Sequence, residues 1–207
     1  MIEEVLKDEL CQKKLNLNNH ILKDSCFRLG EIIKKIPDRF ENHLGIGTGA
    51  DSSKPWEVYN TFLFPYPQFH DLFNAIRDTF HEAKVIDNKK YYIQSWTNLF
   101  YKGECIGWHS HNQSEYCEYM TGYYCVDAEP SVTTHRFIDT NVDYNHENKN
   151  GYVVFTKMGK KHRHSIHRTW PWPYEDRPRI TIAFEILSEE GIFEKYPNEM
   201  YNHWIPL

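Results

Sequence analysis

Apolar residues recur along this chain with two different periods. In PQFHDLFNAIRDTFHEA (67–83), Phe69, Leu72, Phe73, Ile76 and Phe80 return at helical spacing, which predicts an amphipathic helix. After Asp87-Asn88 the period shortens to two. In YYIQSWTNLFY (91–101), Tyr91, Ile93, Ser95, Thr97, Leu99 and Tyr101 share one face of a strand, and Tyr92, Gln94, Trp96, Asn98 and Phe100 share the other. YMTGYYCVDA (119–128), SVTTHRFI (131–138), GYVVFT (151–156) and RITIAFEIL (179–187) read as further strands, and HRHSIHR (162–168) as a short one. DTNVDYNHENKN (139–150) is polar enough to read as a loop, and PWPYEDRP (171–178) as a turn.

Before residue 88 the pattern is more helical. Residues 1–36 read as two short helices, with Asp24 or Ser25 as the cap of the second and Pro37 as its stop; Phe27, Leu29, Ile32, Ile33 and Ile36 would form its apolar face. Residues 41–55 read as a loop, and VYNTFLF (58–64) as a strand. The GxGxG at 45–49 is weak evidence for phosphate binding, because no Lys-Ser/Thr follows and no strand–turn–helix frame surrounds it. No helices alternate with the later strands, which argues against a parallel doubly wound sheet. The pattern predicts a mainly β (α+β) chain: an antiparallel double sheet, or jelly roll, backed by N-terminal helices. The expected organisation is one domain over 1–207. Residues 1–88 supply helical support plus an edge strand, 89–187 the jelly-roll core, and 188–207 an aromatic tail packed back on it.

Composition narrows the function. Aromatics at 15% favour sheet, and a length of 207 residues suffices for a sizeable core. A net charge of −5 without a basic run argues against nucleic acid and anionic membranes, and no apolar stretch reaches the roughly 20 residues of a bilayer span. The start is acidic and amphipathic, unlike a secretory signal, and the five cysteines are odd in number and lack CxxC spacing. Reduced thiols and a cytoplasmic location are the expectation. Oligomeric state, monomer or homodimer, is not readable.

The 12 histidines bunch in two places. In GWHSHNQSEY (107–116), His109 and His111 stand two apart, so on a strand both rings point to one face and can reach one metal. Two surface histidines on a wet strand are the competing reading. In KHRHSIHR (161–168), His162 and His164 again share a face and His167 takes the other; a solvated basic strand is the alternative, given Lys160, Lys161, Arg163 and Arg168. A double-sheet barrel can bring two such strands together at its mouth. Arg179 and Thr181 share a face of an apolar strand, where an inward guanidinium needs an anion, either a protein carboxylate or a bound acid.

These pieces, in order, are a strand with W-x-N, then K-G and HxH, then TGYYCV, GYVVF, HSI and R-x-T. Over residues 90–187 the series resembles the 2-oxoglutarate/Fe(II)-dependent dioxygenases. The resemblance implies a cupin-like double-stranded β-helix, Fe(II) as metal and 2-oxoglutarate as cosubstrate. It implies hydroxylation of a C–H bond with release of succinate and CO₂, on a small molecule or a protein side chain. The metal ligands it implies are His109, His111 and His164, with His162 as the runner-up to His164. Arg179 and Thr181 would hold the cosubstrate's far carboxylate, with Tyr101, Asn98 and Tyr124 lining the same pocket. Trp170 and Trp172, with Tyr174, would flank its mouth. The chain departs from the family pattern at His111, where a carboxylate is usual. Glu115, Glu118 or a water are candidates to replace it. Two other functions remain open: a cupin-like three-histidine metal dioxygenase or isomerase without 2-oxoglutarate, and a non-enzymatic jelly-roll binding module.

Overall fold

In the computed structural model, residues 1–6, 9–35, 51–53, 60–83, 88–111, 119–158, 165–195 and 203–207 are described. The chain runs β1 (Glu3–Leu6), β2 (Leu10–Lys14), α1 (Asn19–Lys34), β3 (Asp51–Ser52), a 3₁₀ turn (Thr61–Leu63), α2 (Pro67–Ala83), β4 (Tyr91–Phe100) and β5 (Tyr119–Asp127). It continues through β6 (Ser131–Phe137), β7 (Val142–Asn148), β8 (Tyr152–Met158), β9 (Ser165–Thr169), β10 (Arg179–Ser188), α3 (Glu189–Lys195) and β11 (Ile205–Pro206).

Among the described residues these strands form two antiparallel sheets. The larger has the order β1-β2-β8-β5-β10-β4-β11, with β3 also on β4; the smaller has the order β7-β6-β9. At the centre of the larger sheet β10 pairs with β4 from Arg179↔Phe100 to Ser188↔Tyr91, and with β5 on its other edge. Both faces of these central strands are covered. One face packs Ile93, Leu99, Val153, Phe155, Ile180, Ile182 and Ile186 against Leu22, Cys26 and Leu29 of α1 and Phe69, Leu72, Ile76 and Phe80 of α2. Burying each such side chain contributes roughly 1.5–3 kcal/mol, so this layer is the main source of stability. The other face carries Trp96, Asn98, Phe100, Tyr123, Arg179 and Thr181, and it encloses a cavity with the smaller sheet. This is the jelly-roll, double-stranded β-helix arrangement, with helices on the outer face of one sheet. No helix among the described residues is long and apolar enough to cross a membrane.

The N-terminal reading needs correction. The first segment is not a helix: β1 pairs with β2, and β2 pairs with β8 from Leu10↔Thr156 to Lys14↔Tyr152. The open edge of β8 overrides the weak local helical pattern by offering a full ladder of backbone partners. The single helix α1 starts earlier than expected, capped by the Asn18 side chain on Ile21 N, and Ser25 lies inside it, hydrogen-bonded to Ile21 O and Gln68. The described part of VYNTFLF is a 3₁₀ turn, because the buried Asn60 amide donates to Ile93 O and His203 O and accepts from Phe62 N and Ser95 Oγ. The expected loop at 139–150 contains β7, paired with β6 from Val142 to Asn148. Its alternation is hidden because its inward residues, His146 and Asn148, are themselves polar. At the other end Trp204 packs with Leu187 and Ile192, and β11 joins β4.

Candidate metal centre

His109, His111 and His167 meet inside the cavity, with one potential ligand atom from each ring lying within 4.8 Å of the others. His109 reaches β9 through an isolated antiparallel bridge to His167, so its segment extends the smaller sheet by one strand. On the outward side of that strand the Trp108 ring stacks under two guanidiniums, Arg136 at 4.4 Å and Arg168 at 4.6 Å, and Arg168 also covers Trp170 at 4.4 Å. Arg136 is itself tied to Asp143 on β7. Alternation then forces the neighbour, His109, inward. The tryptophan in GWHSH is thus a clamp, and the histidines beside it are what the clamp presents.

Ring hydrogen bonds set which nitrogen faces the cavity. His109 Nδ1 lies 2.9 Å from Gly107 O. A carbonyl only accepts, so Nδ1 carries the proton and Nε2 keeps its lone pair. His111 Nδ1 lies 2.6 Å from Glu185 Oε1, which places Nε2 free on the cavity side in the same way. Burial, aided by the nearby His109, His111 and His135, pushes the His167 ring well below the usual histidine range and keeps it neutral. Neutral imidazoles are what a first-row metal ion requires of its nitrogen ligands. A fourth ring, His135 on β6, lies 5.5 Å from His167; burial pushes it down to about 3, and neither of its nitrogens has a hydrogen-bond partner.

The cavity extends from these rings along β10 to Thr181 and Arg179. Arg179 is 3% exposed, and its Nε donates to Ser131 Oγ at 3.2 Å. Its Nη1 is buried without a hydrogen-bond partner, and among the described residues no carboxylate pairs with it. Burial lowers its pKa from the usual arginine value. A guanidinium in that state is poised for an anion that enters the cavity.

The structure therefore brings together His109, His111, Asn98, Arg179 and Thr181 from the sequence-derived set. His162 and His164 lie outside the described residues, as do Glu115 and Glu118. The third ring that the described fold supplies is His167, which the sequence pattern had set apart from the expected pair His162 and His164. Tyr101 and Tyr124 face the helices rather than the cavity: Tyr101 OH meets Lys34, and the buried Tyr124 OH bonds Asn19 of α1. One residue earlier, Tyr123 lines the cavity, so a single step of strand parity separates the two roles. Trp172 is buried with its Nε1 on Arg177 O, and Trp170 is exposed on the outer face, so neither lines the cavity. His167, His135 and Glu185 were not singled out in the sequence. For His167 and His135 the signal available was only an inward parity that depends on where the strand begins; Glu185 shares the parity of Arg179 and Thr181 on β10, but nothing local ties it to His111.

No family model matches the sequence, and no curated protein matches it. Solved structures do match in fold. A prolyl hydroxylase from Trichoplax adhaerens, solved with a hypoxia inducible factor degradation-domain peptide, is similar at a TM-score of 0.61 and 7% identity, covering 94% of this chain and 89% of that one. A viral collagen prolyl hydroxylase from Paramecium Bursaria Chlorella virus-1, solved as a 2-oxoglutarate complex, gives a TM-score of 0.53 and 14% identity over 85% and 95% of the two chains. The alpha-ketoglutarate-dependent, non-heme epimerase SnoN from nogalamycin biosynthesis gives 0.59 and 12% over 87% and 78%. The fold is thus that of the double-stranded β-helix 2-oxoglutarate/Fe(II) oxygenases.

Proposed function

We propose that this protein is an Fe(II)- and 2-oxoglutarate-dependent dioxygenase that hydroxylates a C–H bond of a small molecule or protein side chain. One oxygen atom of O₂ enters the product and the other enters succinate as CO₂ leaves. The observation that carries the reading is one cavity with three convergent imidazoles at one end and, at the other, a buried guanidinium whose Nη1 has no hydrogen-bond partner.

The residues fit both groups. His109, His111 and His167 would hold the iron through nitrogen donors suited to a first-row metal. Bound iron supplies the O₂-dependent oxidation, for which no protein side chain has the redox chemistry. Arg179 and the Thr181 hydroxyl would take the far carboxylate of 2-oxoglutarate, satisfying the orphaned Nη1. Trp96, stacked on His111 with ring centroids 6.2 Å apart, and Phe100, under the Arg179 guanidinium, wall off the cavity and help keep it dry. The similar folds include hydroxylases and an epimerase, so the fold leaves the outcome at the substrate carbon open.

A second reading has its own support. The grouped ligands are all imidazoles, as in a three-histidine metal enzyme that uses no keto acid. The test is succinate release from 2-oxoglutarate with Fe(II) and ascorbate under air, with native protein and Arg179→Ala. Turnover that is lost in the variant supports the proposal. Iron uptake without any 2-oxoglutarate turnover favours the second reading, and failure to take up Fe(II) rules out both.

A further inference from the structure

Glu185 is 1% exposed, on the cavity side of β10, across from Gln94 of β4 and Thr121 of β5. A carboxylate this deep is costly unless a cation or strong donors satisfy it. It accepts a hydrogen bond from His111, whose Nδ1 lies 2.6 Å from Oε1. Glu185 is not part of the cluster of potential ligand atoms; it contacts His111 through Nδ1, which leaves Nε2 of that ring to face a metal. We infer that Glu185 is the positioning residue of the metal centre, supplying through the His111 ring the negative charge that a directly bound carboxylate would otherwise bring.

This inference rests on the metal-site reading above and deepens it. A divalent ion on three neutral imidazoles leaves two positive charges in a buried cavity. Glu185 in hydrogen-bond contact with the ligand ring brings the local sum to one, the same as two histidines and a carboxylate. The carboxylate has moved outward by one imidazole. A carboxylate on the far nitrogen of a ligand histidine also fixes the tautomer, locks the ring plane and raises the basicity of the metal-facing nitrogen. Trp96 flanks the same ring, with centroids 6.2 Å apart and planes inclined at 29°. The chain therefore needs no acid from elsewhere to make His111 a competent third ligand.

The test uses Co(II) as a spectroscopic probe and Fe(II) under anaerobic conditions, on purified full-length protein. Glu185→Gln keeps the volume and an acceptor but removes the charge. It should weaken Co(II) and Fe(II) binding about 10–100-fold, with the metal-free protein still melting cooperatively. In a His111→Asp background the effect should reverse. There Glu185 faces a like charge, so the double variant binds metal at least as tightly as His111→Asp alone. Equal losses in both backgrounds, or Glu185→Gln binding within about threefold of native, would overturn the inference and leave the metal site standing. Native protein that takes up neither ion overturns the site reading and the inference with it. Should Glu185→Gln not fold, long-range ¹H–¹⁵N spectra of native protein loaded with Zn(II) decide instead. The expected pattern is His111 bound through Nε2 with a low-field proton kept on Nδ1, and metal on Nδ1 is the overturning result.

Discussion

His109 and His167 exchange both backbone hydrogen bonds, His109 N to His167 O at 3.1 Å and His167 N to His109 O at 2.9 Å, and their rings lie 4.2 Å apart. Two residues distant in the chain are thereby held in register by the main chain itself. Their side chains converge without relying on flexible rotamers.

This register predicts which histidine is the third ligand. His167→Ala should reduce Fe(II) affinity beyond the roughly 10–100-fold typical of losing an outer partner, whereas His164→Ala should retain most of it. Anaerobic metal titration of the two variants checks this. Equal losses, or a greater loss for His164→Ala, would contradict the geometry.

Arg179 predicts opposite effects on binding and stability. A buried cation without a paired carboxylate costs the ligand-free fold, so Arg179→Met should leave its stability unchanged or raised by about 1 kcal/mol. The same change should weaken 2-oxoglutarate binding about 10–100-fold, the value of one or two charge-assisted hydrogen bonds. Urea unfolding and calorimetric titration separate the two. A variant that is clearly destabilised and still binds the acid would refute the assignment.

Gly122 lies in β5 where a Cβ would meet Val154 O at 2.3 Å and the Phe184 ring at 2.5 Å. The carbonyl belongs to the adjacent strand and cannot swing away. Gly122→Ala should therefore destabilise by about 1–3 kcal/mol through overpacking. The Phe184→Leu background should recover only the ring's share. Thermal melting of the single and double variants measures both.

His146 on β7 is 4% exposed, and its Nε2 is buried without a hydrogen-bond partner. Burial, with Lys149 nearby, pushes it down to about 4. Its folded value lies below the ordinary histidine value near 6.5, so between about pH 6.5 and 4 the unfolded chain takes a proton that the folded chain refuses. Its contribution is intact above that window and is lost as pH falls through it. From pH 7 to pH 5 the native protein should lose up to about 2 kcal/mol more than His146→Gln. Urea midpoints at the two pH values give the difference, and identical pH slopes would remove His146 from the account.

Legibility followed local periodicity. α2 was readable because its apolar positions repeat every three to four residues and pack on the sheet in that same register. The inward set of β4 and β10 was readable because alternation places Trp96, Asn98, Arg179 and Thr181 on one face wherever those strands begin and end. β2 was misread as helix because its partner β8 lies far along the chain, and nothing local announces the pairing. β7 was missed because an inward face of His146 and Asn148 does not look like a core.

The chain by itself determined the order of chemistry: paired histidines, then a second histidine cluster, then an inward arginine on an apolar strand. Covalent succession and side-chain alternation carry that much. Which of the clustered histidines turns inward was decided by the tertiary structure, since parity in a short strand depends on its register with a distant partner, here His167 against His109 and His135. The tertiary structure also placed Glu185 beside His111. No local pattern relates a loop histidine to a buried acid on the closing strand until the two sheets close over each other.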